Sequence, residues 1–147
     1  MEIERNVIFL YPLTKVLQEL QAQLEENEAF TVYEMDSVAE YTQLIGVTEQ
    51  SVTFSSDERK TTAYLESCKK FTRAKNSKNI FVPNNLPSLL LFRKLQKVGL
   101  DEVVDADTNV KKLLHKTNLF FNAIEQEQKR IEQEKNKAIP EQFSRDV

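Results

Sequence analysis

Few side chains in this sequence are spaced for chemistry. Among 147 residues there is one cysteine, Cys68, and one histidine, His115. Neither a disulfide framework nor a cysteine–histidine zinc site can therefore form within one chain. His115 sits between Leu114 and Lys116, with no acid or nucleophile placed beside it by spacing. General acid–base catalysis needs such a partner, so an ordinary surface histidine is the simpler reading. Cys68 falls in an apolar stripe with Leu65 and Phe71 and reads as core filling. The densest carboxylates are Asp101, Glu102, Asp105 and Asp107. They lack the spacing and central glycine of a calcium loop. Asp105 and Asp107 read instead as the end of a strand and the cap of a following helix. Gly46 and Gly99 are the only glycines, too few for a glycine-rich phosphate cradle. No cofactor and no metal is expected.

Composition narrows the partners. The net charge of −3 and pI near 5.3 argue against a general nucleic-acid binder, whose footprint is usually basic. No apolar run approaches the roughly 18–20 residues that span a bilayer, so no membrane segment is expected. The start, Met-Glu-Ile-Glu-Arg, is unlike a secretory signal, and with the lone thiol it leads to a cytoplasmic expectation.

The elements alternate along the chain. Asn6–Tyr11 is an apolar run with the pattern of a buried strand, ended by Pro12. Val16, Leu17, Leu20 and Leu24 then recur at helical spacing. Phe30–Met35 is a second strand. Ser37 and Glu40 form a capping-box pattern for a helix through Val38, Tyr41, Leu44 and Ile45, with Gly46 as its stop. Ser51–Ser55 is a third strand, followed by a basic-faced helix through Tyr64, Leu65, Cys68 and Phe71. Asn79–Pro83 is the fourth strand. Pro87-Ser88 opens a helix through Leu91, Phe92, Leu95 and Val98, which Gly99 closes. Leu100–Val104 is the fifth strand, and the last helix begins near Asn109. Five strands alternating with five helices predict an α/β fold, a parallel sheet covered on both faces. Right-handed crossovers favour the flavodoxin-like strand order 2-1-3-4-5.

In order and lengths the chain resembles the receiver domain of bacterial response regulators, over roughly residues 5–124. The most telling local match is Gly99-Leu-Asp-Glu-Val-Val104, similar to the family's Gly-Ala-x-x-φ-φ lead into strand five. The resemblance implies a phosphorylation pocket built of four parts. They are carboxylates ending strand one to hold Mg²⁺, an aspartate nucleophile ending strand three, a Ser/Thr after strand four and a Lys-Pro after strand five. Here those positions fall on Tyr11 and Pro12, on Ser56 with Asp57 next to it, on Pro83 or Asn84, and on Ala106-Asp107. Each departs from the pattern. Asp57 would become the acceptor if strand three were one residue longer. It would still lack a cation, and two anions in one pocket repel by several kcal/mol in a low dielectric. The chain is similar to a degenerate receiver, a pseudo-receiver.

Two surfaces read as contacts. Leu89, Leu90, Leu91 and Phe92 are consecutive, so on a helix they cannot all face one sheet. In the receiver family the face formed by helix four, strand five and helix five commonly carries dimer or effector contacts, which implicates Leu89, Leu90, Phe92, Val103 and Phe120. On the last helix Val110, Leu114, Thr117, Phe121, Ile124, Gln128, Ile131, Lys135 and Ala138 follow alternating steps of four and three, a heptad seam. The first half of that seam must also cover the sheet. Pro140 is expected to interrupt the helix. A receiver-like domain over residues 1–124 is thus expected to carry a helical extension, 125–147, linking to an output domain, for instance a cyclic-dinucleotide enzyme, or to a partner.

A basic surface of Lys60, Lys69, Lys70, Arg73, Lys75 and Lys78 reads first as a solvated face. The leading functional expectation is a non-catalytic signalling module acting through a protein partner or as a homodimer. The alternatives are a phosphoacceptor using Asp57, or a small-molecule sensor bordered by Tyr11, Ser55, Ser56, Asn84 and Asn85 at the carboxyl edge of the sheet.

Overall fold

The computed structural model describes residues 3–68, 76–83 and 89–146, with side chains as far as Asn136. Ten elements alternate: β1 (Asn6–Leu10), α1 (Lys15–Glu25), β2 (Thr31–Met35), α2 (Val38–Val47), β3 (Gln50–Ser55), α3 (Glu58–Cys68), β4 (Asn76–Phe81), α4 (Leu89–Lys97), β5 (Glu102–Val103) and α5 (Val110–Asp146). The five strands form one parallel sheet in the order β2-β1-β3-β4-β5. This is the flavodoxin-like arrangement that the alternation predicts.

The central strands are buried on both faces because their side chains are apolar on both faces. From β1, Val7 and Phe9 point to one side, where Leu17, Leu20 and Leu24 of α1 and Leu113, Phe121 and Ile124 of α5 cover them. Ile8 and Leu10 point to the other, against Tyr41 and Ile45 of α2 and Tyr64 and Cys68 of α3. Farther along that second face Leu65 of α3 and Leu95 of α4 pack on Phe81. One layer is therefore α1 and α5, and the other runs α2, α3, α4. Cys68 is core, as its stripe implies.

Several boundaries differ from the apolar pattern. β4 begins at Asn76, where a start at Asn79 is expected, because its ladder follows β3 from the pair Gln50–Asn76 onward. Hydrogen bonding extends a strand through polar residues that periodicity leaves out. β5 shrinks to two residues, since Leu100 is taken up by the turn before it. Gly99, at φ 108°, lets its own N–H reach Gln96 O and the Leu100 N–H reach Leu95 O, at 3.1 and 3.0 Å, a Schellman stop. Gly46 is not a stop: α2 continues to Val47, and the only positive-φ glycine is Gly99. Ser37 does cap α2, its Oγ accepting the Glu40 N–H at 3.3 Å. The helical backbone of α5 also continues across Pro140 to Asp146. A proline removes one N–H and strains one turn, but residues beyond it can resume helical bonding. The expected helix opening at Pro87-Ser88, Phe71 of the expected third helix and the basic residues Lys69, Lys70, Arg73 and Lys75 lie outside the described residues.

Candidate functional site

The carboxyl edge of the sheet is defined by where the chain leaves the ladders. The last backbone bonds are Tyr11 N–H to Met35 O at 2.8 Å, Val82 N–H to Ser55 O at 2.7 Å and Val104 N–H to Phe81 O at 3.1 Å. Tyr11, Ser56, Pro83 and Asp105 therefore stand at or just beyond the ends of their strands. Tyr11 is 51% exposed, and it is joined to Pro12 by a cis peptide. The Lys60 ammonium of α3 lies 5.1 Å from the centre of the Tyr11 ring, within cation–π range. The carboxyl end of β1 thus carries an aromatic ring with a lysine ammonium over it.

β3 ends at Ser55, which makes Asp57 the residue that opens α3. Its Oδ1 accepts the Lys60 N–H at 2.9 Å, and its carbonyl accepts the Thr61 N–H at 2.9 Å. That is an N-cap, in which a carboxylate satisfies a donor the helix cannot. The Oγ atoms of Ser56, beside it, and of Thr14, just before α1, are shielded from solvent with no protein partner. Pro83 is buried and Ala106 is exposed in the turn after β5. Asn84 and Asn85 lie outside the described residues. Among the described residues no three His, Cys, Asp or Glu side chains gather to hold a metal.

A second polar centre lies at β5. The Glu102 carboxylate bridges Lys116 of α5 at 2.7 Å and Lys78 of β4 at 3.4 Å. Burial opposes ionisation of Glu102, but hydrogen bonds and charge from Lys116 and Lys78 outweigh it and hold the carboxyl below its ordinary value. Glu102 and Lys116, with Asp105, Thr108 and Lys112, line a shallow cavity of about 370 Å³.

The expected contact residues divide. Leu89 and Leu90 are 65% and 79% exposed, as four consecutive apolar residues on a helix require. Phe92, Val103 and Phe120 are half-buried. Phe121 and Ile124 are not on a free surface: they are core, Phe121 meeting Phe30 edge-on at 6.2 Å. The seam therefore serves the sheet up to Ile124, and only beyond it does Ile131 stand exposed. Leu119, also exposed, is off the heptad, so the seam gives no sign of it.

Arg5 joins the two ends of the domain. It donates to Asn122 Oδ1 at 2.9 Å, pairs with Glu125 at 3.1 Å and lies over the rings of Phe30 and Phe121. No local pattern signals a partner 117 residues away.

No protein family matches the chain by sequence, and no curated protein matches it. Among solved structures it is similar to a protein of Sinorhizobium meliloti 1021 described as a candidate CpaE2 pilus assembly protein. The identity is 17% and the TM-score 0.51, over 80% of this chain and 99% of that one. At that identity the likeness is one of fold. No helix among the described residues is long and apolar enough to cross a membrane.

Proposed function

We propose that this chain is a receiver-like regulatory module without phosphoacceptor chemistry, working in the cytoplasm through contact with a protein partner or an attached output domain. The observation that carries this reading is the use of Asp57. The carboxylate nearest the end of β3 caps α3, and the end of β1 holds Tyr11 beneath Lys60 where a receiver would hold a metal. The cap draws one oxygen of Asp57 into the first turn of α3, and a phosphoryl acceptor needs a cation beside it to spread the charge. The similar Sinorhizobium protein is described by a role in assembly rather than by a reaction, which fits a fold used for contact. In this reading α4, with Leu89 and Leu90 in solvent, is the contact surface, and the extension of α5 connects it to whatever is regulated.

Incubation with acetyl phosphate and Mg²⁺, followed by intact-mass measurement, is the test. No adduct is expected. A stable gain of one phosphoryl group that disappears in Asp57→Ala would overturn the proposal in favour of a phosphoacceptor. Leu90→Glu is expected to weaken binding of the partner without altering the fold; unchanged binding counts against α4.

The unpartnered hydroxyls of Thr14 and Ser56 favour one second reading, a small neutral ligand held at the carboxyl edge of β1 and β3, where flavodoxin-like sheets take ligands. A metabolite screen by thermal shift checks it, with Ser56→Ala expected to abolish any shift found.

A further inference from the structure

Charge is divided unevenly along this chain. From Lys15 to Asp57 there are nine carboxylates and one basic residue; from Glu58 to Leu100 there are ten basic residues and two carboxylates. Among the described residues the strand order turns part of this into a division in space: Glu34, Asp36, Glu40 and Glu49 lie on or beside β2 and α2 at one end of the sheet, and Lys78, Arg93, Lys94 and Lys97 on β4 and α4 toward the other. Since α2, α3 and α4 share one layer in that order, the outer helices of that layer carry opposite charge.

Both ends also expose apolar side chains. At the α2 end Val38, beside the exposed Asp36 and Glu40, is 38% exposed, and Val47, at the other tip of the helix beside the exposed Glu49, is 80% exposed. Buried Tyr64 senses this acidity: its phenol is held above its ordinary value by burial first, then by Asp36 and Glu40. At the α4 end Leu89 and Leu90 stand beside the exposed Arg93 and Lys94. Lys94 has only a loose, exposed pairing with Glu58 at 3.8 Å.

From this complementarity we infer that α4 of one copy docks on the α2 end of a second copy, head to tail. The inference rests on the proposed use of α4 as a contact surface and names what covers it. A symmetric α4-to-α4 contact would bring Arg93 and Lys94 against their own copies, and like charges across an interface are costly. The α4-to-α2 contact sets cations against the acidic α2 end, and Leu89 and Leu90 against Val47 beside Glu49. The two surfaces lie at opposite ends of one molecule, so they cannot satisfy each other within a copy. A contact of this kind does not close on itself and builds open rows. With few apolar groups on each side it is weak and salt-sensitive.

The test uses the full chain in low salt, with mass followed by sedimentation or light scattering as concentration rises. The average mass is expected to climb without a plateau at the dimer. Raising salt from about 0.05 M to about 0.3 M lowers the apparent affinity about tenfold. Leu90→Glu and Val47→Lys, both at exposed positions, are each expected to remain monomeric alone. Mixed in equal amounts they form a one-to-one complex and stop there, because only one competent pair of surfaces remains. That mixed complex also shows that both variants are folded.

If Leu90→Glu is monomeric while Val47→Lys associates as the wild type does, docking on α2 is overturned and the α4 reading stands. A wild type that stays monomeric throughout, or two variants that both associate normally, overturns the inference. Partner binding by Leu90→Glu then decides the α4 reading separately. Leu90-dependent binding to phosphatidylglycerol vesicles or to a foreign acidic protein, without self-association, overturns it in favour of that occupant.

Discussion

Asp57 has a mechanical role that can be measured apart from any chemistry. A side chain that caps a helix stabilises it by satisfying one N–H, so Asp57→Ala is expected to lower stability by about 1 kcal/mol. Asp57→Asn keeps an oxygen in the same place and should cost much less. Urea denaturation of the two variants separates the roles, and equal losses would mean that the charge, not the cap, matters. Glu102 is expected to show itself through pH. Its carboxyl is held below the ordinary value, so the folded state takes up its proton less readily than the unfolded chain. The stability it contributes is therefore present above the unfolded value of about 4.5 and is lost as pH falls through the lower folded value. With both partners partly in solvent the contribution is about 0.5–1 kcal/mol. Glu102→Gln should flatten that part of the stability curve below pH about 4.5. At this scale the sequence was legible only where neighbours are local. Ser37 and Gly99 announce their roles by position, whereas Lys60 reaches Tyr11 across a gap of 49 residues that only the β1–β3 pairing closes.

Among the elements, α5 divides into two physical regimes along one continuous helix. Phe121 is fully buried and Ile131 is 41% exposed, although both occupy the same heptad seam. Phe121→Ala opens a cavity beside Phe30 and Phe120 and is expected to cost about 3–5 kcal/mol. Ile131→Ala should change stability by less than about 0.5 kcal/mol. Thermal and urea unfolding of this pair maps where the domain stops gripping its last helix. Periodicity found that helix, and it found the five strands, because alternating apolar runs have no other economical burial. It could not tell a seam that faces a sheet from one that faces a second helix, since both demand apolar residues at the same spacing. Strand ends were misjudged for a related reason. β4 is extended by its hydrogen bonds to β3 through Asn76, Ser77 and Lys78, none of which has an apolar side chain to signal it.

For the molecule as a whole, the question is whether the end of α5 holds copies together or only projects from one of them. Between Glu125 and Asn136 the one exposed large apolar residue is Ile131. The rest of that stretch is polar, and Arg130 pairs within the helix with Glu127 and with Glu134 at 2.7 Å. Such pairs support a helix in water without help from a partner. Arg5 bonds Asn122 and Glu125 where the helix leaves the domain, beside the buried Phe121 and Ile124. The portion beyond Gln126 would then be a rod about 30 Å long, at about 1.5 Å per residue. Ending the chain at Gln126 should therefore change unfolding free energy by less than about 1 kcal/mol and leave the concentration dependence of mass intact. The radius of gyration from small-angle scattering should fall. Loss of self-association on truncation, with the fold intact, would place the contact on α5 and remove it from the α2 and α4 ends. Arg5→Ala in the full chain is the complement. It keeps the rod and its buried anchors Phe121 and Ile124 but removes one clamp at its base, so scattering should report a slightly broader distribution of sizes while the mass at each concentration stays the same.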